Sequence, residues 1–315
     1  MATNSSLDLT EKEWFVQAPW GKICVVAWGN SLDPPVLMLH GSLDSAASFR
    51  PLIKLLPQNF YYIAMELPGN GKSDRLPPGL MLSIFDFVYC IDFIARHFRW
   101  EKFDFIGHSM ATIVGRHFNI CYPGRLNRVV ELDPAAGELK LCVPPVKFSE
   151  WYHKNFTAYF KKYKKFNGSK ETAPKYTKEQ ALKRIKQTRK LTDPTALATM
   201  ERFTEPCGKG LIRFTYDNRY KLIQYPPLDA VQLKNLFTAI TTPTLIITAE
   251  GSALIRNNPD TKFMIEENSY PERNVRVKHI RGSHDVHIIH PERLAPFVTQ
   301  FLIYGLQGLD SVAKL

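Results

Sequence analysis

The sequence predicts an α/β architecture: a mostly parallel eight-stranded sheet flanked by helices, with a helical cap inserted after strand 6. Three observations predict it. Apolar runs of strand length alternate with segments of helical period from residue 13 to Asp133. The alternation stops at Asp133-Pro134 and resumes near Thr242, so a long insertion separates the sixth strand from the seventh. A small-x-Ser-x-small pentapeptide, Gly107-His-Ser-Met-Ala111, follows the apolar run Phe103-Asp-Phe-Ile106 directly.

The elements follow in order. Glu13–Ala18 and Lys22–Trp28 read as an opening hairpin turning through Pro19-Trp-Gly21. Strands are predicted at 35–39, 61–66, 102–107 and 128–133, and helices at 46–56, 83–98 and 110–122. Tyr122-Pro-Gly124 is a clean stop for the last of these helices. Beyond the insertion, strands are expected at 242–248 and 275–280 and a closing helix at 291–305. This divides the chain into a core of residues 1–136 and 241–308, a cap of 137–240, and a flexible tail of 309–315.

A serine between small residues at a strand end fits a nucleophile elbow, where a sharp strand-to-helix turn exposes the hydroxyl. Ser109 is the candidate nucleophile. Met110 would open the next helix with its N–H aimed at a developing oxyanion, and Ser42, after the strand-ending His40-Gly41, can supply the second N–H. His284 follows the strand 275–280 and can act as general base; the order Ser then His is that of the α/β-hydrolase fold. The acid of that fold usually lies beyond the seventh strand, where Ser252 stands instead. Asp133, at the end of the sixth strand, is the replacement selected. Glu250 sits two residues early, Asp260 lies far along, and Asp285 would point away from His284. His40 and His108 are expected to be structural or pocket-lining, and Trp151 of the cap to join them on the substrate. His287 and His290 are expected to pack or face solvent. No metal or cofactor is expected, because the histidines lack the carboxylate or cysteine context of a zinc site.

Between Lys147 and Lys190, fourteen Lys/Arg face three Glu and no Asp, an excess equal to the whole-chain net charge of +11. Phe148, Tyr152, Phe156, Tyr159 and Tyr163 recur at three- and four-residue steps within it. A lid helix with its aromatic face on the pocket and its lysines in water is the simplest reading. A lid that attracts an anionic acyl substrate such as an acyl-coenzyme A is the sharper one. A transient membrane contact is a further alternative, and no nucleic-acid module is present.

No apolar run reaches the ~18 residues of a membrane span, so no stable membrane insertion is expected. The N-terminus carries no basic and apolar regions of a signal peptide. Five scattered cysteines read as reduced, buried thiols. Ala313-Lys-Leu315 is a variant of the Ser-Lys-Leu address, so a peroxisomal import receptor is an expected partner and the peroxisome the expected location, with the cytoplasm as alternative.

Several segments resemble the animal serine-hydrolase-like proteins, a kraken-related, peroxisome-associated branch of the α/β-hydrolases. They are Ala18-Pro-Trp-Gly-Lys-Ile-Cys24, Pro35-Val-Leu-Met-Leu-His-Gly41 with Asp44-Ser-Ala-Ala-Ser-Phe49, Phe60-Tyr-Tyr-Ile-Ala-Met65 and Gly107-His-Ser109. The similarity is strong in the N-terminal half, adequate around His284 and poor through the cap. It implies a Ser–His hydrolase. The chain departs from the pattern at Ser42, where tryptophan is usual, at Glu66 for aspartate, at Asn70 for histidine, and at Ala111 for glycine. A cofactor-free esterase or thioesterase is the expected function. The rival is a diverged, non-catalytic small-molecule-binding protein, favoured by the serine at the usual acid position.

Overall fold

The computed structural model describes residues 10–134 and 142–312. β1 (Lys12–Ala18) and β2 (Gly21–Trp28) form the opening hairpin. β3 (Pro35–Leu39), α1 (Arg50–Ile53), β4 (Tyr61–Met65), α2 (Ile84–His97), β5 (Phe103–His108), α3 (Met110–Cys121) and β6 (Leu126–Leu132) follow. The cap segment then holds α4 (Phe148–Tyr152), α5 (Ala158–Lys161), α6 (Tyr163–Asn167), α7 (Lys178–Arg189), α8 (Asp193–Phe203), the small hairpin β7 (Thr204–Pro206) and β8 (Ile212–Phe214), and α9 (Ala230–Thr238). The chain returns to the sheet with β9 (Thr244–Thr248), then α10 (Ala253–Arg256), β10 (Val275–His279), α11 (Val286–Ile289), α12 (Ala295–Tyr304) and α13 (Leu306–Val312).

The eight-stranded sheet has the order β1-β2-β4-β3-β5-β6-β9-β10. β1 and β2 are antiparallel; every pairing from β4 to β10 is parallel. The central strands are buried on both faces, which is why β3 and β4 read as unbroken apolar runs instead of alternating. One layer packs α2 and α3 against the sheet through Phe87, Ile91, Ile113 and Phe118. The other packs α1, α12 and α13 through Leu52, Val298, Phe301 and Leu309. α2 begins with a capping box, Ser83 and Asp86 exchanging bonds with each other's backbone N–H.

Three expectations are corrected here. The cap is not wholly helical, since β7 and β8 pair within it. The described part of the tail is not flexible: residues 306–312 form α13, Leu309 is fully buried, and Asp310 pairs with Arg276. Leu306 and Leu309 are one helical step apart, enough to give the segment an inward side. Of the cysteines, Cys24 and Cys90 are buried, but Cys121 is exposed on the last turn of α3. Among the described residues, no helix is long and apolar enough to cross a membrane.

Parallel strands deliver their C-terminal ends to one edge. The ends of β3, β5, β6 and β9 carry His40, Ser109, Asp133 and Ala249 to that edge, and the loop after β10 brings His284.

Candidate active site

Ser109 occupies the turn between β5 and α3 with φ 56° and ψ −122°, a backbone conformation that few side chains tolerate. Its N–H donates to Leu132 O at 2.9 Å, and its carbonyl accepts from Thr112 Oγ1 at 2.8 Å. These bonds tie the strained turn to β6 and to the first turn of α3. The small neighbours have a steric cause. A Cβ on Gly107 would stand 2.8 Å from the Phe105 ring and 2.9 Å from Ala111 O, and one on Gly41 would stand 2.9 Å from the Ser109 Cβ. The turn after β3 therefore runs directly beside Ser109. Met110 is the first residue of α3, where a backbone N–H has no intrahelical acceptor, and Ser42 stands on the wall of the cavity.

Ser109 Oγ lies 2.8 Å from His284 Nε2, and His284 Nδ1 lies 2.6 Å from Asp133 Oδ2. The three side chains come from the ends of β5 and β6 and the loop after β10. Asp133 is fully buried, with φ 42°. Its Oδ1 accepts from the Ala249 N–H at 2.6 Å and from Ser252 Oγ at 2.5 Å. The serine at the usual acid position thus donates to the aspartate that faces the histidine. Both carboxylate oxygens are engaged, so Asp133 has one orientation and its Oδ2 is aimed at His284. Glu250 lies on the cavity wall, and the Asp260 N–H donates to Asn258 Oδ1 at 3.0 Å in a turn of its own.

The cavity in front of Ser109 holds about 700 Å³, within the range of small-molecule sites. The core contributes Gly41, Ser42, His108, Ser109 and His284, and the cap contributes Arg184, Ile185, Arg189, Lys190, Phe214 and Lys221. Two expected substrate contacts are corrected. His40 is fully buried away from the cavity, its Nδ1 bonded to Gly41 O at 2.7 Å and its Nε2 accepting the Leu67 N–H at 3.0 Å, so it braces the turn after β3. Trp151 lines a separate cavity of about 260 Å³ with Cys142, Ile223 and Tyr225. His108 does line the Ser109 cavity, and its Nε2 bonds the carbonyl of His284 at 2.9 Å, fixing the loop that carries that histidine. His287 is buried against His108, ring centroids 4.0 Å apart, and burial pushes its pKa down to about 3. His290 is part exposed and bonds Glu292 at 3.1 Å.

The cap is pinned to the core by arginines whose partners are distant in sequence. At the end of α7, Arg189 takes Asp44 of the turn after β3 bidentately, at 2.8 and 2.9 Å, and also bonds Asp285 beside His284. Burial opposes the ionisation of Asp285, but Arg189 outweighs it and holds the carboxyl below its usual range. Asp44, His108, Asp285 and His287 bring potential metal-ligand atoms within 4.8 Å of one another. Arg189 already supplies the positive charge there, so the set fits a guanidinium and not a divalent ion. Further along, Arg202 of α8 bonds Glu66 at 2.6 and 2.9 Å, and also Glu13. Arg219 bonds Asp217 at 2.8 Å and the carbonyls of Leu76 and Pro77. Apart from Arg219–Asp217, two residues apart, none of these pairings left a signal in the sequence, since no motif spacing joins residues so distant.

The aromatic face and the dense lysine run of the cap segment are also corrected. Its aromatic face does not sit on the Ser109 cavity, and none of Lys161, Lys162, Lys164 and Lys165 lines it. The cations on the cavity wall are Arg184, Arg189, Lys190 and Lys221, of which Arg189 is paired with Asp44 and Asp285.

This sheet order, an elbow serine after β5 and a histidine after the last strand define a class, and the comparisons agree with it. The model of the alpha/beta hydrolase fold matches residues 34–264, and the chain belongs to that family. Its relatives include the human "Serine hydrolase-like protein 2", 29% identical over 90% of this chain and 91% of the relative. The "Probable serine hydrolase" of Drosophila melanogaster is 26% identical over 92% of this chain and 87% of the relative. Among solved structures, a hypothetical protein from Pseudomonas aeruginosa superposes with a TM-score of 0.77, at 20% identity, over 92% of this chain and 99% of that one.

Proposed function

We propose that this hydrolase-family protein cleaves an ester or thioester of an acyl substrate by serine catalysis. The observation that carries the reading is the continuous chain from Ser109 Oγ through His284 to Asp133, at 2.8 and 2.6 Å. Ser109 Oγ attacks the acyl carbonyl while His284 Nε2 takes its proton. The N–H groups of Met110 and Ser42 receive the oxyanion. The intermediate collapses, the carbon–oxygen or carbon–sulfur bond breaks, and His284 returns the proton to the leaving group. Water then attacks the acyl-serine by the same route and releases the acid. Asp133 holds the histidine tautomer and stabilises the imidazolium. No cofactor takes part in these steps. The binding-protein alternative rested on Ser252 at the usual acid position, and Asp133 at 2.6 Å from His284 supports the catalytic reading over it.

A fluorophosphonate probe tests the reading. It should form one adduct, mapped to Ser109 by peptide mass spectrometry, that vanishes in Ser109→Ala and slows by orders of magnitude in His284→Ala. Labelling that persists in Ser109→Ala, or never occurs, rejects the assignment.

Arg184, Lys190 and Lys221 support an anionic substrate. Arg184 lies over the Tyr176 ring at 5.9 Å, and Lys221 over Tyr216 at 5.3 Å with a bond to Asn218. Neutral partners orient these two cations without consuming their charge, whereas Lys186 is paired with Asp193. With an acyl-coenzyme A as substrate, kcat/KM should fall as salt rises, and the combined change Arg184→Gln, Lys190→Asn and Lys221→Gln should lower it about tenfold or more. A neutral ester should respond to neither; an equal response of both substrates would remove the anionic assignment.

Import into peroxisomes through Ala313-Lys-Leu315, residues outside the described part of the chain, belongs to the same proposal. An N-terminal fluorescent fusion should be punctate and become diffuse when the three residues are deleted. A distribution that ignores the deletion contradicts the address.

A further inference from the structure

The segment from Val146 to Phe166 turns an aromatic stripe to solvent. Phe148, Tyr152, Phe160 and Tyr163 are 49%, 47%, 58% and 41% exposed, and Val146 at its start is 91% exposed. Phe156 lies between them, stacked on Tyr152 at 5.4 Å, and Phe160 stacks on Tyr163 at 6.2 Å. The spacing is close to one helical step throughout, so these rings share one side of α4, the π-helical turn His153–Thr157, α5 and α6. An amphipathic segment normally buries such a side. Here only Tyr159 and Phe166 are buried. Neighbouring exposed rings of this kind are characteristic of an interaction site.

The charges around the stripe identify what it meets. Lys147, Lys154, Lys161, Lys162, Lys164 and Lys165 are all exposed, and Glu150 is the one acid among them. Among the described residues, none of the six lysines is in an ion pair. All six are lysine. Where this cap holds a buried carboxylate it uses arginine, as at Arg189, Arg202 and Arg219. A guanidinium fork suits a carboxylate held in one geometry, whereas a flexible ammonium suits a diffuse anionic field. Aromatic rings settle at the level of lipid headgroups, and lysine stems can lie along apolar surface with the ammonium at the charged plane.

We propose that this face of the cap docks reversibly on an anionic lipid surface, the rings entering the headgroup region and the six lysines meeting the lipid charge. Trp151, Lys147 and Lys154 of the same segment also line the smaller cavity, and Lys221 is common to that cavity and the one at Ser109. Docking therefore sets the lipid surface beside the cap wall of the candidate active site. The proposal does not depend on the catalytic reading.

Co-sedimentation of the full chain with vesicles tests it. Binding is expected to phosphatidylcholine vesicles containing about 30 mol% phosphatidylserine at low salt, and not to pure phosphatidylcholine or at about 0.5 M salt. Each lysine near the surface contributes about fivefold. Changing Lys161, Lys162, Lys164 and Lys165 to glutamine should therefore weaken binding by nearly three orders of magnitude. Changing Phe148, Tyr152, Phe160 and Tyr163 to serine should abolish it, with fluorophosphonate labelling and circular dichroism reporting whether that variant is folded. The wild-type comparison of the two vesicle types stands without any variant. Failure to bind the anionic vesicles at low salt overturns the proposal. So does binding that the aromatic changes leave intact, or a dimer that they dissolve in a chain that ignores vesicles, which would assign the face to a second copy.

Discussion

Asp133→Asn should lower kcat on an activated ester by about four orders of magnitude and leave the protein folded. Asparagine keeps the shape and retains a carbonyl oxygen for the Ala249 N–H and Ser252 Oγ, which bind Oδ1 at 2.6 and 2.5 Å. Its amide nitrogen then faces His284 Nδ1 across 2.6 Å, where a carboxylate oxygen stood. Two donors cannot face each other, so the imidazole must present its lone pair there and its N–H to Ser109, which disables the base. Ser252→Ala is the informative companion. It removes one of the bonds that orient Asp133 and leaves the bond to His284, so a loss of about tenfold or less is expected. A folded Asp133→Asn with full kcat would reject the assignment, and Glu250→Gln would then be the variant to measure.

Arg202→Met should cost about 3–5 kcal/mol and lower Tm by roughly 5–10 °C. Arg202 is buried and supplies two bonds to Glu66, itself fully buried, and one to Glu13. Removing it strands a carboxylate beneath the cap. Glu66 retains the N–H groups of Lys72 at 2.7 Å and Ala46 at 3.3 Å, which limits the loss. The rescue separates lost charge pairing from lost packing. Adding Glu66→Gln removes the uncompensated charge while its carbonyl can still accept from the Lys72 N–H, so most of the stability should return. A double variant as unstable as Arg202→Met would show that packing of the arginine stem, and not the charge, dominates.

The core strands, the elbow and the histidine loop were legible because each rests on local chemistry. β3 and β4 are apolar along their length because parallel strands are covered on both faces. Gly107 and Gly41 lack a side chain because the turn at Ser109 leaves no room for one. Asp133 could be named because it ends β6 in sequence, and adjacent parallel strands end together. The cap was not legible in the same way. Its aromatic period announced a helical side, but a period does not say whether that side meets a pocket, the core or water. The tail was misread for a related reason: its position at the chain end suggested mobility, while Leu306 and Leu309 were enough to dock a short helix.

The sequence by itself therefore determined the α/β core, the order of its strands along the chain, and the identities of Ser109, His284 and Asp133 as candidates. These depend on composition and spacing within segments of a few residues. Only the tertiary structure decided that Ser252 steadies Asp133, that Arg189 and Arg202 hold the cap, that His40 and Trp151 lie off the Ser109 cavity, and that Arg184, Lys190 and Lys221 are among the cations lining it. Each of these is a meeting between residues far apart in the chain. Such meetings are selected by how buried charges find partners once the layers have packed, and no local pattern encodes them.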